Sequence, residues 1–458
     1  MNSLITPRLS VMMFLQFFVW GAWYVTAPLF LSKIGFGPTD FGWTYSVGPI
    51  AGMISPFFVG MIVDRFFPTE RVLGFFHLLG AGIMLAAIFL MRSAEPQPWL
   101  INLVFFGHML CYYPTLSLTN TLALHSMSNA EKQFPLIRVF GTIGWIAAGV
   151  FLSLLGWDSD IRMFYVSAIS GLLMGVYSFT LPHTPPPLAG KKVSARELVG
   201  MDALVLLKQP SFLVFMVSSF LICIPLAFYY QMAGKFTDHA GLASPALKMT
   251  FGQMSEIIFM VLMPFFFARL GVKWMLFVGM LAWVIRYGLF ALGADDRVAW
   301  MIITGIVLHG ICYDFFFVTG QIYTDKVAPP AIRGQAQGML ILFTIGLGMF
   351  IGAQVAGRVE SYYVLPGAAG LNNQAQVLDR EMEAVQAELG KTGNSATADK
   401  ELNGKLSDLR NQRSLVLMQT QNWKKIWMFP AIFAGVILVL FTLIFRDTTG
   451  TSGERVVK

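Results

Sequence analysis

Apolar stretches of about 20 residues, each the length a helix needs to cross a bilayer core of about 30 Å, recur along nearly the whole chain. They lie near 9–31, 40–63, 72–92, 98–122, 138–157 and 162–182, then near 211–232, 249–268, 274–293, 298–323, 335–356 and 426–446. A soluble arrangement would have too little polar surface to cover them, because 56% of the residues are apolar and 12% are charged. In hydrocarbon the backbone must satisfy its own hydrogen bonds, and runs of this length do so as α-helices. The expected fold class is an all-α integral membrane protein with twelve transmembrane helices in two six-helix halves, residues 1–182 and 211–458.

Two polar interruptions break this rhythm. Residues 183–210 begin PHTPPPLAGKK and continue SARELVGMDALVLLKQP, which predicts a Pro-rich turn and then a short amphipathic helix on the inner surface. The second runs over about 363–424, inside the C-terminal half. Leu378, Met382, Val385 and Leu389 recur at helical spacing, and Leu402, Leu406 and Leu409 do so after the breaker GKTGNSATA. That pattern predicts an outer antiparallel helical hairpin with a narrow apolar seam.

The net charge of +7 says less than its distribution. With the N-terminus inside, most Lys and Arg between spans face the cytoplasm, and the short outer loops carry far fewer, Lys33, Arg92, Arg162, Lys235, Lys248 and Arg297. Both termini are then cytoplasmic, and no nucleic-acid partner is expected. The first run contains Gln16 and exceeds a signal-peptide core, so it reads as a helix. Cys111, Cys223 and Cys312 fall within spans and give no disulfide framework. No phosphate-cradling loop, HExxH pair or zinc-spaced cysteine pair occurs, so neither an enzyme nor a cofactor or metal is expected.

Charges inside the spans are costly and should face a partner or water. Four stand out: Arg138, Glu256, Arg286 and Asp314. Helical spacing places Gly310, Asp314, Phe317 and Gln321 on one stripe, with His309 and Tyr313 beside it. Arg138, Thr142 and Trp145 share a face of the fifth span, and Gln253 and Glu256 one of the eighth. Phe228 and Gln231 share a face of the seventh, and Gln16, Trp20 and Trp23 one of the first. Such a lining suits a neutral, ring-bearing, hydroxylated solute, with flat faces for stacking and polar groups for hydroxyls.

The loop GMIVDRFFPTER, with Asp64, Arg65 and Arg71, resembles the GxxxDRxGRR signature of the major facilitator superfamily, a gating element there. More specific are FLQFFVWGAW, YYPTLSLTN, FPLIRVFGTIGW, QMSE, WVIRYGLF, YDFFFVTG and AIRGQAQGM. With these the chain resembles the nucleoside:proton symporters of that superfamily. The resemblance implies nucleoside binding by Arg138, Thr142 and Trp145, by Gln253 and Glu256, and by Gln231 with Phe228. It sets His309 and Tyr313 in the same site. The sequence departs from the family pattern at Trp145, where Phe is usual, at Phe228, where the family has Gln, and at His309, in place of Tyr.

The expectation is proton-coupled nucleoside uptake across a bacterial inner membrane by alternating access, with a site near the midplane. Asp314 is the first proton-coupling candidate, since desolvation favours the uncharged carboxyl, and Glu256 is its rival. The superfamily resemblance also implies a monomer. A proton-coupled sugar or oligosaccharide symporter, or a non-transporting membrane sensor, are the alternatives.

Overall fold

The computed structural model describes residues 5–127, 130–186, 201–390 and 396–447. Among the described residues seven helices are apolar and long enough to cross a membrane by length and composition, one of them the 50-residue Pro245–Ala294, which supplies both the eighth and ninth spans. What divides it is Gly271, whose φ of 64° belongs to a left-handed conformation that only glycine adopts cheaply. The second and fourth spans, Pro38–Arg65 and Pro98–His125, dilute their apolar residues with Gly, Ser, Thr and Tyr. The first, Ile5–Gly21, and the sixth, Arg162–Ser178, are each 17 residues long.

Proline sets several of the starts. Pro38, Pro98, Pro210 and Pro245 occupy the first helical turn, where the missing N–H is one that no helix could satisfy. The first span breaks after Gly21 and resumes as Ala27–Leu31. The break leaves carbonyls unpaired, and the Tyr45 hydroxyl donates to that of Tyr24 at 2.5 Å. The described helices make up twelve spans in two halves, the arrangement expected from the sequence. Across the halves the second span packs along the eleventh, the fifth along the eighth, and the end of the first against the seventh.

Backbones approach closely at one end of these seams. A Cβ on Gly357 would lie 2.7 Å from the Pro38 carbonyl oxygen, so no larger residue fits between the second and eleventh spans there. At the same end Asp158, in the loop before the sixth span, caps the eighth helix from the other half. The Ala246 amide donates to its carboxylate at 2.8 Å and the Leu247 amide to Ser153 Oγ at 2.9 Å. Free amides at a helix start are thereby satisfied across the interface.

The hairpin sits at this end too. Ala368–Leu389 and Ala396–Met418 pack through Leu378, Val385 and Leu409, flanked by Met382, Leu389, Leu402 and Leu406. It is fastened to the C-terminal half by Arg413, which bonds Asp379 within the hairpin at 2.6 Å and Asp238 at the end of the seventh span at 2.9 Å. Ser414 Oγ donates to the His239 carbonyl at 2.6 Å.

Three expectations change. Residues 187–200 of the amphipathic-helix prediction lie outside the described residues, and the described remainder, Met201–Lys208, is a 3₁₀ helix. Its three-residue repeat brings Ala203 and Leu206 to one buried side. Lys235, read as an outer-loop charge, lies within the helix Pro210–His239 and pairs with buried Glu360 at 2.8 Å. The stripe through Asp314 is interrupted: Asp314–Val318 forms a π-helical turn in which the Thr319 amide bonds the Asp314 carbonyl, five residues back. The wider turn shifts the helical phase, and Gln321 is exposed while Asp314 is fully buried.

Candidate functional site

A chain of aromatic rings crosses the middle of the bundle from one half to the other. Trp145 on the fifth span meets Trp20 edge-on at 5.3 Å, and Trp20 meets Tyr24 at 5.1 Å. Tyr24, carried on the break in the first span, meets Tyr230 of the seventh at 5.7 Å. Tyr230 lies 6.3 Å from His309, and His309 lies 5.6 Å from Tyr313. Tyr113 joins through Trp20 at 5.8 Å. Trp145, Tyr113, Tyr230 and Tyr313 are only partly buried, so their rings form a wall with an open side.

Two opposite charges lie within this wall. Arg138, over the Phe17 ring at 4.3 Å, acts electrostatically on Glu256. Both act on Tyr313, and Glu256 acts also on Tyr230. Arg138 comes from the N-terminal half and Glu256 from the C-terminal half, so the pair spans the interface. Beside them Gln253 is buried with its amide oxygen unpartnered. A guanidinium donates, a carboxylate accepts and flat rings flank both, which together can hold a polyhydroxylated ring compound.

Behind the wall, Arg286 of the ninth span is fully buried and has no ion pair among the described residues. Its guanidinium stacks on Tyr229 at 3.4 Å and reaches His309 Nδ1 at 3.1 Å. A guanidinium cannot accept, so Nδ1 is the acceptor and the imidazole proton resides on Nε2. Arg286 thereby fixes the tautomer and the orientation of His309.

Asp314 is also fully buried, and neither of its carboxyl oxygens has a hydrogen-bond partner. Gly310 lies against the backbone of Ser255 and Glu256, so the eighth and tenth spans touch at the level of Glu256. Four residues on, roughly 6 Å further along the helix, comes Asp314, and Glu256 acts on it electrostatically. π turns favour functional positions because they re-aim a side chain within an otherwise regular helix.

The structure brings together Arg138, Trp145, Glu256, His309 and Tyr313, with Gln253 alongside and Thr142 half-buried on the helix that carries Arg138. It does not bring Phe228 or Gln231 to this cluster. Phe228 stacks on Phe429 of the twelfth span at 5.6 Å, and the Gln231 amide reaches Glu360 at 3.5 Å. The seventh span instead presents Tyr229 and Tyr230. Trp23 likewise turns away from Trp20 and stacks on Phe105 at 5.0 Å, while Gln16 bonds Thr115 at 2.8 Å. For the gating expectation, the side chains of Asp64 and Arg65 lie outside the described residues. Arg71 is exposed, whereas its neighbour Glu70 is buried and bonds His183 and the Thr184 amide.

Sequence reasoning missed Tyr24, Tyr113 and Tyr230 as wall residues, and Lys235 with Glu360 as a buried pair. A signal existed for Tyr230, because Tyr-Tyr at 229–230 covers both flanks of the helix face assigned to the site.

Residues 3–378 match the family described as nucleoside H+ symporter. The putative nucleoside transporter YegT of Escherichia coli (strain K12) is 38% identical over 452 residues, covering 97% of this chain and 94% of its own length. Xanthosine permease of the same organism is 29% identical over 379 residues, covering 79% and 90%. The crystal structure of nucleoside transporter NupG superposes with a TM-score of 0.77 at 25% identity, over 98% of this chain and 100% of that one. The chain belongs to the nucleoside H+ symporter family.

Proposed function

We propose that this protein carries nucleosides into the cell together with protons, across the inner membrane and by alternating access. The observation that carries the reading is the opposition of Arg138 and Glu256, one from each half, within a wall of aromatic rings. A nucleoside has what this wall lacks: a flat base to lie against Trp145, Tyr230 or Tyr313, and ribose hydroxyls to donate to Glu256 and accept from Arg138. His309 Nε2–H and the Gln253 amide add directional contacts, and Thr142 a hydroxyl. The family match and the names of the relatives, putative nucleoside transporter YegT and xanthosine permease, support a nucleoside over a free sugar.

Asp314 is the proton-coupling group in this reading, with Glu256 binding substrate beside it. A carboxyl without donors around it is cheap to hold neutral and costly to hold charged, so its proton moves when water reaches it. Residues 1–182 and 211–458 act as the two rocking bodies, with 183–210 as the cytoplasmic linker and both termini on that side. Arg71, with Asp64 and Arg65, serves the inner gate. The working unit is a monomer.

Uptake of labelled uridine and adenosine into proteoliposomes under an imposed inward proton gradient tests the reading. Unlabelled nucleosides are expected to compete and free hexoses or disaccharides are not. Uptake that free sugars suppress as well as nucleosides do would replace it by the sugar-symporter alternative. Nucleoside binding without counterflow would replace it by the sensor.

A further inference from the structure

We propose that one anionic phospholipid binds in a groove between the third and sixth spans, with its phosphate at Arg92 and Tyr165 and an acyl chain along Leu85 and Phe89. The groove has a volume of about 430 Å³ and is lined by Leu85, Ile88, Phe89, Arg92, Ser93 and Tyr165. Its floor is one helical stripe: positions 85, 88, 89 and 92 follow the i, i+3, i+4, i+7 pattern of a single face. Leu85 and Phe89 are 41% and 78% exposed and lie within the span Thr69–Met91, so acyl chains are the solvent they meet.

The stripe ends in a cation where the span ends, since Arg92 is the residue that caps this helix. Among the described residues its guanidinium donates to a neutral group, the Tyr165 hydroxyl, at 3.2 Å. There the phenol oxygen accepts, which leaves its own proton to donate. Arg92 makes no ion pair among the described residues, and Glu95, three positions on, is exposed without pairing to it. Remaining guanidinium N–H groups and one phenol O–H therefore point to an acceptor that the protein does not supply. An apolar stripe of roughly 10 Å from Leu85 to Arg92, closed by donors at the membrane boundary, is complementary to an amphiphile whose head is an anion. A zwitterionic head offers the same phosphate but carries a cation that Arg92 repels. Nothing in this reasoning depends on what the protein transports.

Purified full-length protein in detergent is titrated with phosphatidylglycerol, with phosphatidylcholine of the same chains, or with inorganic phosphate, and its thermal unfolding is followed. Phosphatidylglycerol is expected to raise the midpoint more than phosphatidylcholine, and inorganic phosphate to leave it unchanged. In Arg92→Gln the phosphatidylglycerol affinity is expected to fall roughly tenfold or more, to the level of phosphatidylcholine. Arg92 is exposed, so this variant folds. Phe89→Ala is expected to weaken both lipids, and Arg269→Gln, an exposed arginine at another helix end, to keep the preference. Equal shifts from the two lipids in the wild type overturn the proposal, as does a preference that survives Arg92→Gln. Loss of the preference in Arg269→Gln points to diffuse charge and overturns it too. A shift reproduced by inorganic phosphate alone assigns the site to the free anion instead.

Discussion

Arg286 and Arg413 are both largely buried arginines, and they are treated in opposite ways. Arg413, which fastens the outer hairpin, has two carboxylates within 2.9 Å, and the charges of Asp238 and Asp379 hold its proton more firmly than usual despite the burial that opposes it. Arg286, behind the central wall, has aromatic faces, the imidazole of His309 and the Cys312 thiol, but no carboxylate partner among the described residues. The carboxylates divide in the same way: Glu360 is paired with Lys235, whereas Asp314 has no partner at either oxygen. Paired charges can hold elements together because breaking them exposes an uncompensated ion. Unpaired ones cost free energy in the resting structure and are retained where a substrate, a proton or water completes them.

The largest expected effect separates these two classes. Asp314→Asn is expected to abolish concentrative, gradient-driven nucleoside uptake while leaving counterflow and the unfolding midpoint close to wild type. Uptake at several external pH values, beside counterflow in the same vesicles, measures this. Retained accumulation with an unchanged proton dependence removes Asp314 from proton coupling.

Arg413→Ala is expected to act on stability and not on transport. It leaves two mostly buried carboxylates unpaired and is expected to cost about 3 kcal/mol, the low end for buried pairs because both aspartates keep some contact with water. Limited proteolysis and hydrogen exchange of 368–418 should show the hairpin loosened, with proton-coupled uptake largely kept. A transport defect as deep as that of Asp314→Asn would erase the distinction between rim and centre.

The smallest effect tests the capping contact between the halves. Burial raises the Asp158 carboxyl above its ordinary range, against the hydrogen bonds from Ser153 and Ala246 that lower it. A raised value means that its contribution to stability is fully present below the ordinary carboxyl range near pH 4 and declines as pH rises through the folded value. Asp158→Asn keeps an acceptor for the Ala246 amide without the charge. It is expected to gain about 1 kcal/mol or less at pH 7 and nothing near pH 4, read as the difference in unfolding midpoint. A variant less stable than wild type at pH 7 would mean that the carboxylate's charge favours the cap.

Much of the centre was legible beforehand because lipid makes composition informative. A charge such as Glu256 or Asp314 within 20 apolar residues has few places to go, and helical spacing then groups its neighbours. The same spacing grouped Phe228, Gln231 and Trp23 with the site, where the structure gives them other partners. A helix in a bundle is lined with protein on most sides, so an amide or ring facing Glu360, Phe429 or Phe105 has the same local pattern as one facing a cavity. Lys235 and Glu360 escaped notice because each lies near a helix end, where a charge looks like a loop residue until the partner helix is in place.

What the sequence determined by itself was the number and length of the spans, the hairpin's apolar seam and the identity of the central charges, because all of these follow from local periodicity and the cost of burying polar groups. Only the tertiary structure decided which half each partner came from. Arg138 is separated from Glu256 by more than a hundred residues, and Tyr24 from Tyr230 by about two hundred. It also decided that Asp314 opens a π turn and so leaves the stripe its spacing implies. Just before that turn the tenth span meets the eighth at Gly310, a contact that no single helix encodes.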